Sequence, residues 1–471
     1  MMTAAARLRD DLAAIRDAAI AAVRPEPLVT RRLAVAAGEV LLDGRSLFPP
    51  LAVGRGRIAI VGGGKAAAGM AAGLVEVLTA GGIATERIAG LVSVPEGSGR
   101  RLPGVEIRAT RAPAENLPTP AAVAATREML RLVSALGPAD VAIALVSGGG
   151  SALIAAPREG VSLADTLAVT RRLSAAGATI TELNVVRQAA SDVKGGGLAR
   201  ACSAGRLLVL VLSDVIGDPL EVIASGPCMP VAESAAPALA VLERFGATGV
   251  APRLTAVLRA ESARAGSAQP SSLVSPPGSW TTPRGCRVDH VLLGTNAIAV
   301  EAAARAADGL GYAVTVRPAA TAAGETADDV GLRLGAAGLA LVEAAAADGR
   351  ARAVVEGGEA VVRLPADHGR GGRNQQAAAA ALAMLPAAAR GWPTGLLVAS
   401  LGTDGEDGPT TAAGGLADAG VAERIHELGL DVAAAVARCD ALPLLEAAGG
   451  LIVTGPTGTN VADVRIVLAR P

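Results

Sequence analysis

The sequence predicts an α/β protein built on a mostly parallel sheet, with a second, smaller α/β region after it. Three observations lead there. Short runs rich in Val, Ile and Leu alternate with Ala-rich helical stretches. Several of those runs end in glycine-rich turns that open helices. One stretch rich in Ser, Pro and Gly interrupts the alternation. A chain of 471 residues, 51% hydrophobic and 18% charged, is expected to fold into more than one packed core.

Leu8, Leu12, Ile15 and Ile20 recur near helical spacing and predict an amphipathic helix packed on the first domain. Arg57 to Val61 is the first buried strand, followed by a Gly turn and a helix from about Ala66. Ile88 to Val94, Val141 to Val146 and Leu207 to Leu212 are three further strands. Repetition of strand, turn and helix argues a parallel sheet covered on both faces. Ligands in such sheets bind at the C-terminal strand ends, where the turns after Val61, Val146 and Leu212 fall.

Glu261 to Arg287 reads as a connection able to act as a hinge. Beyond it, Val288 to Gly294 and Tyr312 to Arg317 read as strands, and Ala297 to Leu310 and Ala323 to Ala347 as helices. Ala351 to Leu364 reads as two strands around Gly357-Gly358, Gly395 to Ser400 as a strand, and Leu451 to Leu468 as a closing hairpin. The expected domains are residues 1–260 and 288–471, joined by 261–287.

Composition excludes several functions. Forty-three basic and forty-four acidic residues give a net charge of -1, so neither nucleic acid nor a membrane surface is an expected partner. The aromatics are Phe48, Phe245, Trp280, Tyr312 and Trp392, too few for base-stacking platforms. The four cysteines are far apart and read as free thiols. The N-terminus lacks a signal-peptide core, and no uninterrupted apolar run reaches membrane-spanning length. A soluble, cytoplasmic protein acting on a small molecule is expected, a homodimer being one possible assembly.

Six motifs carry chemistry. Gly62-Gly63-Gly64-Lys65 follows a strand and opens a helix, a place suited to phosphate; the alternative is a tight turn with an exposed lysine. Ser147-Gly148-Gly149-Gly150-Ser151 repeats the arrangement after the third strand and suits nucleotide; the alternative is a flexible loop. Glu182, Arg187 and Lys194 read equally as a surface ion-pair network or a site. Asp214 after the fourth strand is placed to hold Mg²⁺ or take a proton, unless it is a helix N-cap. Arg370 and Arg373 on a Gly-rich turn suit a transferring phosphoryl group. Asp404, Glu406 and Asp407 crowd one turn, which suits Mg²⁺ or plain solvation.

Together, VGGGKAAAGMA, LVSGGGSAL, GATITELNVVRQAASDVKGGGLA, LSDVIGDPLEVIASGP, GRGGRNQ, SLGTDGEDGPTTAAGG and TGPTGTNVADV resemble glycerate 2-kinases with a MOFRL domain, some of which are labelled hydroxypyruvate reductases. The resemblance runs from Val61 to Val464. It implies a Rossmann-like N-terminal domain, a smaller MOFRL α/β domain and an active-site cleft between them. It implies ATP, Mg²⁺ and phosphorylation of the 2-hydroxyl of D-glycerate or a related hydroxy acid. By motif it assigns Lys65, Asp214, Arg373 and Asp404 to catalysis or phosphate. It assigns Gly62, Gly63, Gly64, Ser147, Gly148, Gly149, Gly150 and Ser151 to nucleotide, and Asp214 and Asp404 to the metal. Where many relatives carry Gly-His-Pro-x-Pro-Asp, this chain carries Arg111 to Asn116 without the His, which leaves the hydroxy acid open. Two other classes compete: a nicotinamide-dependent reductase, resting on the Gly62-x-Gly64-x-x-Ala67 match, and a non-catalytic sugar-acid sensor.

Overall fold

The computed structural model describes residues 4–112, 117–231, 235–265, 279–319, 324–384 and 391–471. These fall into two compact units. The first comprises Pro25–Ser213 and Asp218–Leu293; the second comprises Met1–Arg24, Asp214–Gly217 and Gly294–Pro471.

The first unit is organised by seven strands: β1 (Ile58–Gly63), β2 (Ile88–Pro95), β3 (Val105–Arg111), β4 (Val141–Ser147), β5 (Arg206–Leu212), β6 (Ser279–Thr281) and β7 (Arg287–Gly294). Their spatial order is β3-β2-β1-β4-β5-β7-β6. Strands β1 to β5 run parallel, and β6 pairs antiparallel to β7. Every residue of β1 and β4 is buried, as their unbroken apolar runs require. The chain builds outward through β1, β2 and β3, then returns to place β4 on the other side of β1. The order therefore reverses between β1 and β4, which in open α/β sheets marks the ligand crevice. The helix Pro120–Ser134 that makes the return starts cleanly: Thr119 caps it by accepting the Ala122 N–H, and Pro120 takes the first helical position.

A small antiparallel sheet of Leu33–Ala36, Glu39–Leu42 and Arg45–Ala52 precedes β1 and has no counterpart among the expected elements. Beyond β4, the helices Leu163–Ala175, Ile180–Ala189, Ala235–Arg244 and Pro252–Ala265 share an apolar core that includes Leu173, Leu183, Leu242 and Leu254.

The second unit holds β8 (Ala313–Arg317), β9 (Arg352–Gly358), β10 (Leu396–Gly402), β11 (Gly414–Ala417), β12 (Leu451–Ile452) and β13 (Asp463–Ala469) in the order β8-β9-β13-β10-β11-β12. Only the β8–β9 pair is parallel among these.

Five expectations need correcting. Val288 to Gly294 belongs to the first sheet, as β7, rather than opening the second domain. The N-terminal helix Ala4–Ala22 belongs to the second unit, packed on the helix Asn296–Gly309 and on β10. Its apolar stripe states that it packs, not on what. The segment 261–287 is no simple linker: its start lies in the helix Pro252–Ala265, its end contains β6, and residues 266–278 lie outside the described residues. Both described ends belong to the first unit, so the hinge reading loses its basis; the chain passes between units at Arg24–Pro25, Ser213–Asp214, Gly217–Asp218 and Leu293–Gly294. Gly357-Gly358 is no hairpin turn, because β9 runs through both. Finally, Leu451 to Leu468 is no hairpin. β12 pairs with β11, whereas β13 runs between β9 and β10, a choice of partner that alternation alone does not encode.

The helix Ala327–Asp348 is long and apolar enough to cross a membrane by length and composition. Here it packs against the helix Arg373–Ala383 and β13. Gly331 makes the approach close, since a Cβ there would lie 2.2 Å from the Ala377 carbonyl oxygen.

The N-terminal helix is held by charge as well as by its apolar face. Asp11, 7% exposed, accepts hydrogen bonds from Tyr312 Oη at 2.6 Å and from Arg470 Nη2 at 2.9 Å. Asp11→Ala leaves both donors without their acceptor and is expected to cost about 3 kcal/mol of unfolding free energy. Urea denaturation measures this, and an unshifted midpoint would show that the network does not hold the helix.

Candidate functional site

In the first unit the two glycine turns at the ends of β1 and β4 are zipped together. The Lys65 N–H donates to the Gly148 carbonyl at 2.9 Å, and the Ala66 N–H donates to Ser147 Oγ at 3.1 Å. The Gly64 N–H reaches the Ser93 carbonyl, and the Ala67 N–H the Gly64 carbonyl. The first turn therefore offers no cradle of free backbone N–H groups, contrary to the expectation for Gly62, Gly63 and Gly64. The glycines have another physical reason. A Cβ on Gly62 would lie 2.0 Å from the Leu145 carbonyl oxygen, and one on Gly64 would lie 2.1 Å from Ser147 Oγ. They let β1 and β4 approach. Ser147 is fully buried and serves the same junction rather than facing a ligand.

What the junction presents is side-chain charge. Arg111, at the carboxyl end of β3 and 2% exposed, brings its guanidinium beside the second turn. A Cβ built on Gly149 would lie 3.0 Å from Arg111 Nη2 and 3.6 Å from Lys65 Cγ. Lys65 and Arg111 thus flank Gly149 at the point where the strand order reverses. Asn116 lies outside the described residues. Gly149, Gly150 and Ser151 begin the short helix Gly150–Leu153, where early N–H groups have no intrahelical acceptor.

The third motif is not an ion-pair network. Glu182 caps its own helix through Thr179 and pairs with Arg244 at 2.5 Å. Lys194 is 6% exposed and donates to the Ser151 carbonyl at 2.8 Å. Burial, and secondarily the charge of Arg187, push its pKa down to about 7. No carboxylate pairs with Lys194 or Arg187 among the described residues. Ser151 Oγ lies 3.0 Å from Ser225 Oγ, which also donates to Asn184 Oδ1 at 3.0 Å. Ala224 and Ser225 hold left-handed backbone, with φ of 52° and 61°, a strain typical of ligand sites.

In the second unit Arg373 is anchored rather than free. Its Nε and Nη2 form a fork on Asp463, at 2.7 and 2.9 Å, and its Nη1 reaches Glu359 at 2.9 Å. These carboxylates raise its pKa further, against the effect of burial. Asp407, 2% exposed, caps the helix that starts at Arg373: it accepts the N–H of Asn374 at 3.0 Å and of Gln375 at 2.8 Å. Burial pushes its pKa up to about 6 against those donors. Of the acidic turn, Asp404 and Glu406 therefore remain half-buried and Asp407 is structural. Asp404 Oδ1 accepts the Glu406 N–H at 3.0 Å. Asp214 is no N-cap, since no helix follows it directly; it accepts from Asn460 Nδ2 at 3.3 Å. Thr457 in the same segment donates its N–H to the Asp404 carbonyl at 3.2 Å. Residues 457–460 thus tie Asp214 and Asp404 together. Arg370 is exposed, and its N–H donates to Asp440.

A family model described as a domain of unknown function, DUF4147, matches residues 11–259, and the MOFRL family model matches residues 352–463. The chain is 34% identical over 509 residues to a glycerate kinase of Homo sapiens, covering 97% of this chain and 92% of that one. It is 31% identical over 455 residues to a glycerate 2-kinase of Pyrococcus horikoshii, covering 96% and 94%. The solved structure of a glycerate kinase from Thermotoga maritima matches with a TM-score of 0.77 at 30% identity, over 98% of this chain and 99% of that one.

Lys194 supplies a pH signature. The unfolded chain keeps that proton up to about pH 10.4, the folded chain only to about 7. Between those values the unfolded state binds more protons, so stability rises with pH. Wild type is expected to gain melting temperature relative to Lys194→Met from about pH 7 to about pH 10. A flat difference in calorimetric scans would mean that the ammonium stays charged in the fold.

Proposed function

The chain belongs to the glycerate kinase family, and on that premise we propose that it transfers the terminal phosphoryl group of ATP to the 2-hydroxyl of D-glycerate, giving 2-phosphoglycerate and ADP. What supports this most is the juxtaposition of Lys65 and Arg111 around Gly149 at the reversal point of the sheet. Two cations converging there suit the charge that builds on a transferring phosphoryl group. Arg111 also suits a carboxylate of the acceptor, which it can grip with two parallel N–H groups.

In the reaction the 2-hydroxyl oxygen attacks the terminal phosphorus and the bond to the bridging oxygen of the leaving ADP breaks. The hydroxyl proton passes to a carboxylate, for which Asp214 is the candidate. Lys65 is assigned to the phosphate oxygens. Arg373 joins the catalytic set with its orientation fixed by Asp463.

The described residues gather no set of three metal-ligating side chains, so a closed protein cage is not on offer. One or two carboxylates completed by phosphates and waters is the mode usual for Mg²⁺, and half-buried Asp214 and Asp404, linked through residues 457–460, fit it. Mg²⁺ bound there would neutralise charge on the phosphates. The four cysteines are free and buried, in keeping with a reducing compartment, and the cytoplasm is the location this reading assigns. A reductase would act on nicotinamide instead, so ADP release with glycerate, against nicotinamide oxidation with hydroxypyruvate, separates the two activities.

Lys65→Ala is expected to lower kcat by about 10²–10³-fold, the usual cost of one preorganised charge contact, with a melting temperature near wild type. Near-normal turnover would remove Lys65 from the site. Activity is also expected to vanish in excess chelator and to return with added Mg²⁺; full turnover in chelator would rule out the metal.

A further inference from the structure

A cavity of about 270 Å³ lies in the first unit beside the second glycine turn. Its lining is of two kinds. Gly149, Ser151, Arg187 and Lys194 contribute polar and charged groups. Leu163, Leu167, Leu183 and Leu254, from three of the helices beyond β4, contribute aliphatic side chains. Lys194 makes one hydrogen bond, to the Ser151 carbonyl, so its ammonium keeps further N–H groups for a ligand. Arg187 is half-buried and, like Lys194, has no carboxylate partner among the described residues.

A buried lysine beside a half-buried arginine, neither with a carboxylate partner among the described residues, would both be compensated by a bound anion. The aliphatic lining sets a second condition. Glycerate or free phosphate is polar throughout and would leave those walls uncovered. A ligand with an anionic chain and a flat apolar body satisfies both conditions. Among the described residues no aromatic side chain lines the cavity, so such a body would lie against aliphatic side chains. Gly149 belongs both to this cavity and to the contact that brings Lys65 and Arg111 together.

Resting on the kinase reading above, we propose that this cavity holds the purine and ribose of the nucleotide, with Lys194 and Arg187 on its inner phosphates. The phosphate chain then runs past Gly149 to Lys65. The aliphatic walls contribute apolar contact, and the two cations contribute affinity that depends on the phosphates.

The test is photolabelling of the full-length protein with 2-azido-ADP, followed by peptide mapping. Label within residues 163–191, competed by ATP, is the expected result. Lys194→Met, and Arg187→Gln as a second variant less dependent on core packing, should each weaken ADP binding about tenfold or more in calorimetry. Both should leave adenosine binding unchanged. Label confined to other peptides, or unaltered ADP affinity in both variants, would overturn the assignment even in a protein that phosphorylates glycerate. Conversely, label at 163–191 in a protein that releases no ADP with glycerate would support the pocket and remove the kinase reading.

Discussion

The close approach of β1 and β4 governs the first unit. Two parallel strands meet with no side chain between them at Gly62 and Gly64, where a Cβ would fall far inside van der Waals contact of the next strand. That lets the Lys65 and Ala66 N–H groups bond to the second turn rather than to solvent. The direction in which Lys65 leaves the backbone is then fixed by β4 as much as by β1. Gly149 completes the junction: φ of +75° turns the chain, and the missing side chain admits Arg111 and Lys65 to the same spot. An alanine at Gly62 or Gly64 would clash with Leu145 or Ser147 and disturb the junction, and one at Gly149 would press on the Arg111 guanidinium.

Much of this was legible in the sequence, and the limits have physical causes. The parallel strands could be read because a strand buried on both faces is apolar without a break, as in VAIALV. The turns could be read because glycine clusters after such runs are rarely accidental. What glycine does there could not be read, because a Gly-rich turn that cradles phosphate and one that admits a neighbouring strand have the same letters. Partner choice failed for a similar reason. β13 has a strand's pattern, but only the full sheet states that its neighbours are β9 and β10. Sequence leaves Lys194 open because a lysine's counter-ion is a property of space, and the nearby Glu182 is occupied by Thr179 and Arg244.

The cations singled out as candidate site residues have opposite surroundings. Arg373 is over-supplied with carboxylate: Asp463 and Glu359 both hold it, and Asn374 binds Asp463 from the side at 3.1 Å. Such an arginine is rigid before any ligand arrives. Its removal would strand Asp463, which is fully buried, so activity lost in an Arg373→Ala protein would mix chemistry with folding. Lys194 and Arg187 have no carboxylate partner among the described residues. The sequence assigns Arg373 to phosphate and leaves Lys194 and Arg187 between an ion-pair network and a site; the surroundings separate them.

The strained segment explains how an under-compensated lysine is kept in place. Ala224 and Ser225 adopt a backbone conformation that costs each residue about 1–3 kcal/mol. It persists because it is held from several sides. The Ser225 carbonyl accepts the Gly195 N–H at 3.0 Å, the Gly226 carbonyl accepts the Gly196 N–H at 2.7 Å, and the Ser225 hydroxyl joins Asn184 to Ser151. Gly195 and Gly196 directly follow Lys194, and Ser151 supplies the carbonyl that Lys194 grips. The strained loop therefore fixes both the backbone that carries the lysine and the group that receives it. The strained loop and the depressed lysine pKa are two sides of one arrangement: the backbone holds the lysine dehydrated beside a partly apolar cavity, where a bound anion would restore its charge.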